Sequence, residues 1–335
     1  MLRGKASIFV SILVAAGLLL GACAPTTTPA ASTQAPANTA APAAPKLSGE
    51  IIIDGSSTVF PISEKMSDEF TNAYPDVQIP VGESGTGGGF KKFCNGETDI
   101  SDASRPIKDA EKQACADSGV EYVELKVGND GLAVVVNPDV DFVDCLTFAQ
   151  LKTMWAPEAE GVVASWDKVD ARFPARALSL FGPGTDSGTY DFFNETVLGT
   201  NPDGKVITPR TDYQPSEDDN VLVQGVSGEP GALGYFGLAY FENNKGKLKD
   251  LAVDKKGDGT CVRPTAETVL DGSYPLARPL FIYVSEDSLQ RPEVSAFVKF
   301  YLENAKEYTA AVGYVPLPDA DYAKAMENYL AATAR

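Results

Sequence analysis

Three stretches of this chain combine hydroxyl side chains with glycine in a pattern that can hold an oxyanion. The central one is Val81 to Pro106, VGESGTGGGFKKFCNGETDISDASRP, where Ser84, Gly85 and Thr86 lead into three more glycines. Phe90, Lys91, Lys92 and Phe93 then read as the first turns of a helix. Glycine lets backbone approach a ligand closely, and the free N–H groups of a helix start favour an anion, so the Ser84 and Thr86 hydroxyls extend that cradle. Gly182 to Glu195, GPGTDSGTYDFFNE, again runs from an expected strand (Leu178 to Phe181) into an expected helix. Asp54 to Phe70, DGSSTVFPISEKMSDEF, follows the β-like run Glu50 to Ile53. A single loop of this kind is usually only a turn. Three of them, each between a strand and a helix, point to one oxyanion pocket.

The chain contains no His, which removes the usual general base and with it Ser-His-Asp and Cys-His chemistry in their common forms. Ser84 does not sit in a GxSxG elbow, and no GxxxxGK[ST] phosphate loop occurs. Without CxxC spacing or His, zinc is a poor fit. The reading therefore assigns no catalytic residue, no metal and no cofactor.

The elements that must position these loops follow from periodicity. Ile62, Met66 and Phe70 recur every four residues after Pro61, an amphipathic helix opened by Pro. Val77 to Val81 reads as a strand feeding the central loop. Gly131 to Asn137, GLAVVVN, is the near-continuous apolar run of a strand buried on both faces. Helices are expected over Thr147 to Trp155, Tyr190 to Leu198 and Val221 to Val226, an aromatic-rich strand region over Ala232 to Phe241, and a last strand over Leu280 to Val284. Two helices close the chain, Glu293 to Leu302 and Ala320 to Ala332. Strands alternating with helices predict an α/β class with mostly parallel sheets, whose ligands sit beyond the carboxyl ends of strands, where all three loops lie.

Arg3 and Lys5 precede an apolar run, Ile8 to Leu20, too short to span a bilayer and followed by Leu20-Gly21-Ala22-Cys23. Residues 1–22 thus read as a signal peptide ending in a lipobox, and Cys23 as the lipid-modified first residue of the mature protein. Residues 23–48, nearly all Ala, Pro, Thr, Ser, Gln and Asn, read as a disordered linker. An uncleaved membrane anchor is the alternative; either way the folded part lies outside the cytoplasmic membrane. That part, about 290 residues, is long enough for two domains. Without Arg3 and Lys5, the 28 basic residues fall to 26 against 46 acidic ones. Nucleic acid and anionic membrane surfaces are poor partners for such a chain, and the membrane is met only through the lipid. Cys94, Cys115, Cys145 and Cys261 remain, an even number in an exported chain, with three possible pairings. Cys94 with Cys115 and Cys145 with Cys261 is favoured because the first pair brackets a single helix–loop–helix segment.

GSSTVFP, ESGTGGGF, DISDASRP, DSGTYDFF and Gly313-Tyr314-Val315-Pro316-Leu317 resemble, in order from about Gly49 to the C-terminus, the phosphate-binding lipoproteins of the high-affinity phosphate ABC importer. This is the PstS family, in its cysteine-containing variant. The resemblance implies a two-lobed periplasmic-binding-protein fold of type II-like form with a hinge between the lobes. Lobe 1 would comprise residues 49–137 and 279–335 and lobe 2 residues 138–278, so that each favoured disulfide stays within one lobe. It also implies a monomer that captures inorganic phosphate and delivers it to the membrane subunits of an ABC permease. At the ligand it places Ser57, Thr58 and the Val59 backbone, then Thr86 or its neighbour Ser84, then Ser187, Gly188 and Thr189.

Two positions depart from the pattern. Pro183 stands where many members carry an Arg, and Ser104-Arg105 where they carry an Asp. An Arg fork can bind two phosphate oxygens, so Arg105 is expected to supply from lobe 1 the charge that Pro183 cannot. A fixed carboxylate accepts the proton of hydrogen phosphate and repels sulfate, which has none to give; Glu83, with Asp102 behind it, is the expected substitute. Other readings stay open: a receptor for another oxyanion such as sulfate or a phosphonate, a phosphatase-like surface hydrolase, or a sensory or adhesive lipoprotein.

Overall fold

The computed structural model describes residues 46–185 and 187–334; the expected signal peptide, Cys23 and the linker as far as residue 45 lie outside them. From Lys46 onward the chain forms one compact unit, and Leu47 is already buried in its core.

The run Glu50 to Ile53 is divided between two short strands, β1 (Gly49–Glu50) and β2 (Ile53–Gly55). Helix α1 (Phe60–Ala73) starts at Pro61 as its spacing requires and buries Ile62, Met66 and Phe70. The stretch Val77 to Val81 likewise gives two strands, β3 (Val77–Gln78) and β4 (Val81–Gly82). Helix α2 (Gly85–Cys94) begins among the glycines, earlier than Phe90 suggested. Strand β5 (Ile100–Ala103), helix α3 (Asp109–Asp117) and the long strand β6 (Tyr122–Val136) follow. Next come β7 (Cys145–Thr147), α4 (Phe148–Trp155), β8 (Ser179–Pro183) and α5 (Gly188–Phe193), which runs on into a π-turn at Asn194–Leu198. After β9 (Gln214–Ser216) and α6 (Asp219–Gly228), the aromatic region 232–241 is strand only in its first half. It divides into β10 (Ala232–Gly237) and α7 (Leu238–Glu242). Strands β11 (Lys249–Asp250) and β12 (Ala252–Asp254), helix α8 (Ala266–Leu270), strand β13 (Ala277–Ser285) and helices α9 (Pro292–Ala311) and α10 (Asp319–Thr333) complete the chain.

One sheet runs through the unit in the order β4-β2-β5-β13-β6-β10-β8-β9, with β11 also on β6. Its flanks are parallel, as α/β alternation predicts, but β5, β13, β6 and β10 pair antiparallel, so the expectation of a mostly parallel sheet fails in the middle. The pairings of β13 with β5 and β6 follow from its return from the far end of the chain, which sets Arg278 directly opposite Asp130.

Two large cores share these strands. Val123, Leu125 and Val127 of β6 and Leu280, Ile282 and Val284 of β13 belong to a core with α1, α9 and α10. Leu132 to Val136 of β6 belong to another, with Trp155, Phe193 and Tyr235. The stretch 128–131 of β6 is where the chain passes between them. A smaller cluster of Phe90, Phe93, Ile107 and Tyr283 contains the Cys94–Cys115 disulfide, and Cys145 pairs with Cys261.

The glycines of the central loop serve packing as much as any ligand. A methyl on Gly89 would lie 2.5 Å from the Gly55 Cα, and one on Gly55, whose φ is +151°, 2.1 Å from the Asp102 carbonyl oxygen. Helix α2 therefore sits directly on β2, with no room for an anion between them.

Asp102 pays for this arrangement with full burial: its carboxyl accepts a 2.9 Å hydrogen bond from Ser63, and burial pushes it up to about 8 from an ordinary 3.8. Between about pH 4 and 8 the folded protein holds a proton that the unfolded chain has released, so this group makes stability fall as pH rises through that window. Asp102→Asn, which keeps the acceptor for Ser63, should remove the slope. In thermal unfolding from pH 5 to 9 the variant's Tm should gain on the parent's by on the order of 5 °C as pH rises; a pH-independent difference would contradict the assignment.

Candidate functional site

Two of the three hydroxyl-glycine loops line a cleft of about 600 Å³, and the helix that follows the third forms part of its wall. Ser56, Ser57 and Thr58 enter it from the loop before α1, Gly85 and Thr86 from the start of α2, and Ser104 and Arg105 from the end of β5. Asp191 and Phe192 of α5 form the opposite wall, and Arg278 of β13 lies at the base.

Arg278 is 9% exposed and organises the floor. Its Nε donates to Asp130 Oδ2 at 3.1 Å, its Nη1 to Ser104 Oγ at 3.3 Å, and its Nη2 to the Gly188 carbonyl at 2.7 Å and to Thr58 Oγ1. The guanidinium also lies 4.1 Å from the centroid of Phe192. An arginine has five N–H donors, so these four contacts leave one N–H on Nη1 for an anion. Asp130 is fully buried; burial pushes its carboxyl up, and the Arg278 charge and hydrogen bond pull the other way.

The hydroxyls are oriented by that arginine. Thr58 and Ser104 accept from Arg278, the Thr58 O–H donates to the Gly188 carbonyl at 3.4 Å, and Thr86 Oγ1 lies 3.1 Å from Ser104 Oγ while accepting from the Ser104 N–H at 3.2 Å. Ser57 donates to Asp191 Oδ2 across the cleft at 3.2 Å. An arginine at the base and a row of hydroxyls can together bind a small oxyanion, and Asp191 can accept a proton from it.

The structure sorts the residues expected from sequence. Ser57, Thr58, Thr86 and Arg105 line the cleft. Ser84 does not, because its hydroxyl donates to Asp54, which also holds Lys92 at 2.6 Å. The Val59 N–H is taken by the Ser56 carbonyl at 3.0 Å. Ser187 caps α5 by accepting from the Thr189 N–H at 3.2 Å, and Thr189 is buried. Gly188 touches Thr58 so closely that a methyl there would lie 2.4 Å from Thr58 Oγ1. These three stand beside the cleft and shape it through the Gly188 carbonyl. Asp102 is shut inside the first core, and Glu83 is exposed outside the cleft wall. Arg105 is held by Glu111 in a two-pronged ion pair at 2.7 and 2.8 Å. Burial raises the Glu111 carboxyl, but hydrogen bonds from Arg105 and the Lys108 backbone outweigh it and hold it below the usual range. Arg105 and Arg278 are thus each ion-paired, with Glu111 and Asp130, but Arg278 is the more buried of the two and stands at the floor.

Arg278, Asp130 and Asp191 escaped the sequence reading. The only local trace of Arg278 is an Arg-Pro pair at the head of the apolar run LFIYV, and its pairing with Asp130 spans 148 residues.

Residues 30–305 match the PBP superfamily domain. The chain is 49% identical to Protein SphX of Synechococcus elongatus over 83% of this chain and 81% of that protein. It is 40% identical to the phosphate-binding protein PstS of Staphylococcus saprophyticus over 95% of this chain and 92% of that one. Among solved structures, a possible phosphate binding protein from Planctomyces limnophilus superposes with a TM-score of 0.80 at 43% identity, covering 85% of this chain and 99% of that chain.

Removing one partner of a buried ion pair strands the other, at a cost of about 3–5 kcal/mol, whereas replacing both with apolar groups is far milder. Arg278→Met should therefore destabilise the protein by about that amount in urea unfolding, and the double variant with Asp130→Leu should recover most of the loss. Equal stability of the single and double variants would show that the pair is not coupled.

Proposed function

We propose that this chain, which belongs to the PBP superfamily and within it to the family of PstS and SphX, captures inorganic phosphate outside the cytoplasmic membrane and hands it to the membrane subunits of an ABC permease. No bond is made or broken. The observation that carries this reading is the convergence on one cleft of Arg278 and the Ser57, Thr58, Thr86 and Ser104 hydroxyls, facing Asp191 on the other wall. The names of the relatives supply the choice of phosphate among oxyanions.

In this reading the chain has a lipid-anchored Cys23, a first lobe of residues 49–137 and 279–335 and a second of 138–278, hinged where the paired strands β6 and β13 pass from one core to the other. The free N–H of Arg278 and the hydroxyls it orients hold the phosphate oxygens, and Asp191, rather than Glu83 or Asp102, accepts the phosphate proton. Sulfate has no proton to offer Asp191 and meets a bare negative charge there. Closure brings the second lobe's Gly188 loop onto the first lobe's Thr58, as the 3.4 Å Thr58–Gly188 contact supports.

Calorimetric titration of the soluble part, from Lys46, should show one phosphate site and no sulfate heat. A charge-assisted hydrogen bond contributes about 1.5–3 kcal/mol, so Arg278→Lys, which keeps the charge but loses the fork, should weaken phosphate by roughly 10- to 100-fold. Arg105→Ala should change it by less than about threefold, since its guanidinium is the more exposed of the two and its pairing with Glu111 is screened by solvent. Asp191→Asn should admit sulfate. A larger effect at Arg105 than at Arg278 would overturn the assignment of the cation.

A further inference from the structure

A second network of charged and hydroxyl side chains surrounds the glycine-rich entry to α2. Asp54 lies on β2, just before the Ser56–Thr58 loop, and is only 8% exposed. One of its carboxylate oxygens accepts from the Ser84 hydroxyl at the turn into α2, and the other accepts from Lys92 in the last turn of that helix at 2.6 Å. A side chain on the strand that feeds the first loop therefore grips both ends of the segment that carries Thr86.

The glycines of this segment leave room for that grip. Gly82 stands opposite Asp54 on β4, and a methyl there would lie 2.4 Å from Asp54 Oδ2. A methyl on Gly88 would lie 2.7 Å from Ser84 Oγ, and one on Gly89 2.9 Å from the Asp54 carbonyl oxygen. Gly85, with a φ of +74°, makes the turn from Ser84 into the helix, a backbone that other residues rarely adopt. Neither Ser84 nor Asp54 lines the cleft, whereas Gly85, Thr86 and Gly87 do. Thr86 accepts from the Ser104 N–H at 3.2 Å on its other side. It stands between two anchors, Ser104 bonded to Arg278 and Ser84 bonded to Asp54. A chain of Gly85, Gly87 and Gly88 has little stiffness of its own, so the second anchor decides where Thr86 stands.

We infer that Asp54 is a positioning residue for the anion site: through Ser84 and Lys92 it holds the glycine-rich start of α2 so that Thr86 and the backbone of Gly85 and Gly87 stand in the cleft. The inference rests on the phosphate reading of that cleft and assigns Asp54 no contact with the ligand. Lys92 balances the carboxylate, so the tether adds no net charge beside an anion.

The test is calorimetric phosphate titration of the soluble part and its variants, well below the Tm measured for each. Asp54→Ala should weaken phosphate about tenfold by releasing two charge-assisted hydrogen bonds. Ser84→Ala, at an exposed position that keeps the test open if Asp54→Ala does not fold, should reproduce most of that loss, and adding Asp54→Ala to it should weaken phosphate by less than about a further threefold. Gly82→Ala should match Asp54→Ala, because its methyl displaces the carboxylate, yet change affinity by less than about twofold once Asp54 is already Ala. Variants that lose Tm but bind phosphate within about twofold of the parent would show a role in stability alone and overturn the inference, with the phosphate reading left standing. Losses that multiply across the three positions would overturn the tether, and a parent that binds no phosphate would overturn the reading on which it rests.

Discussion

The structure depends on a buried charge pair between two long strands that lie antiparallel side by side. Arg278 and Asp130 face each other on β13 and β6, at the passage from one large core to the other. Burying two charges costs several kcal/mol per ion, and their attraction offsets this only when the remaining donors and acceptors are also met. Arg278 meets that condition by reaching out of the pair to Ser104, Thr58 and the Gly188 carbonyl. The satisfaction of one buried cation thereby fixes the loops from both sides of the cleft. Stability and binding share the same atoms.

This also explains how a chain of net charge −18 can present a site for an anion. Charges farther apart than about 8 Å are largely screened at physiological ionic strength, so the field in the cleft is set by the nearest groups. Arg278 is one of these, and it polarises Thr58 and Ser104 toward donating. It is itself paired with Asp130, as Arg105 is with Glu111 and Lys92 with Asp54, but it is the most buried of the three cations.

Much of this was legible in the sequence because it is local. The four-residue spacing of Ile62, Met66 and Phe70 gives α1, the apolar run 131–137 lies within β6, and the hydroxyl-glycine loops mark the cleft. What was not legible depends on contacts distant along the chain. Nothing near Arg278 shows that β13 returns beside β6, and that return makes β13 antiparallel to both its neighbours. Ser84 and Asp102 have the right chemistry in the right loop, yet Asp54 captures one and the Gly55–Gly89 packing buries the other. Gly237 ends β10 and lets α7 begin inside an aromatic run that periodicity alone reads as strand.

The central claim is that Arg278, and not Arg105, is the cation that meets the ligand. A crystal structure of the protein grown with phosphate tests it most directly. The account predicts the phosphorus between the Thr58 and Asp191 walls, with at least one phosphate oxygen within hydrogen-bond distance of an Arg278 nitrogen and the Arg105–Glu111 pair intact. Phosphate bound by Arg105 with Glu111 displaced, and Arg278 untouched, would contradict it.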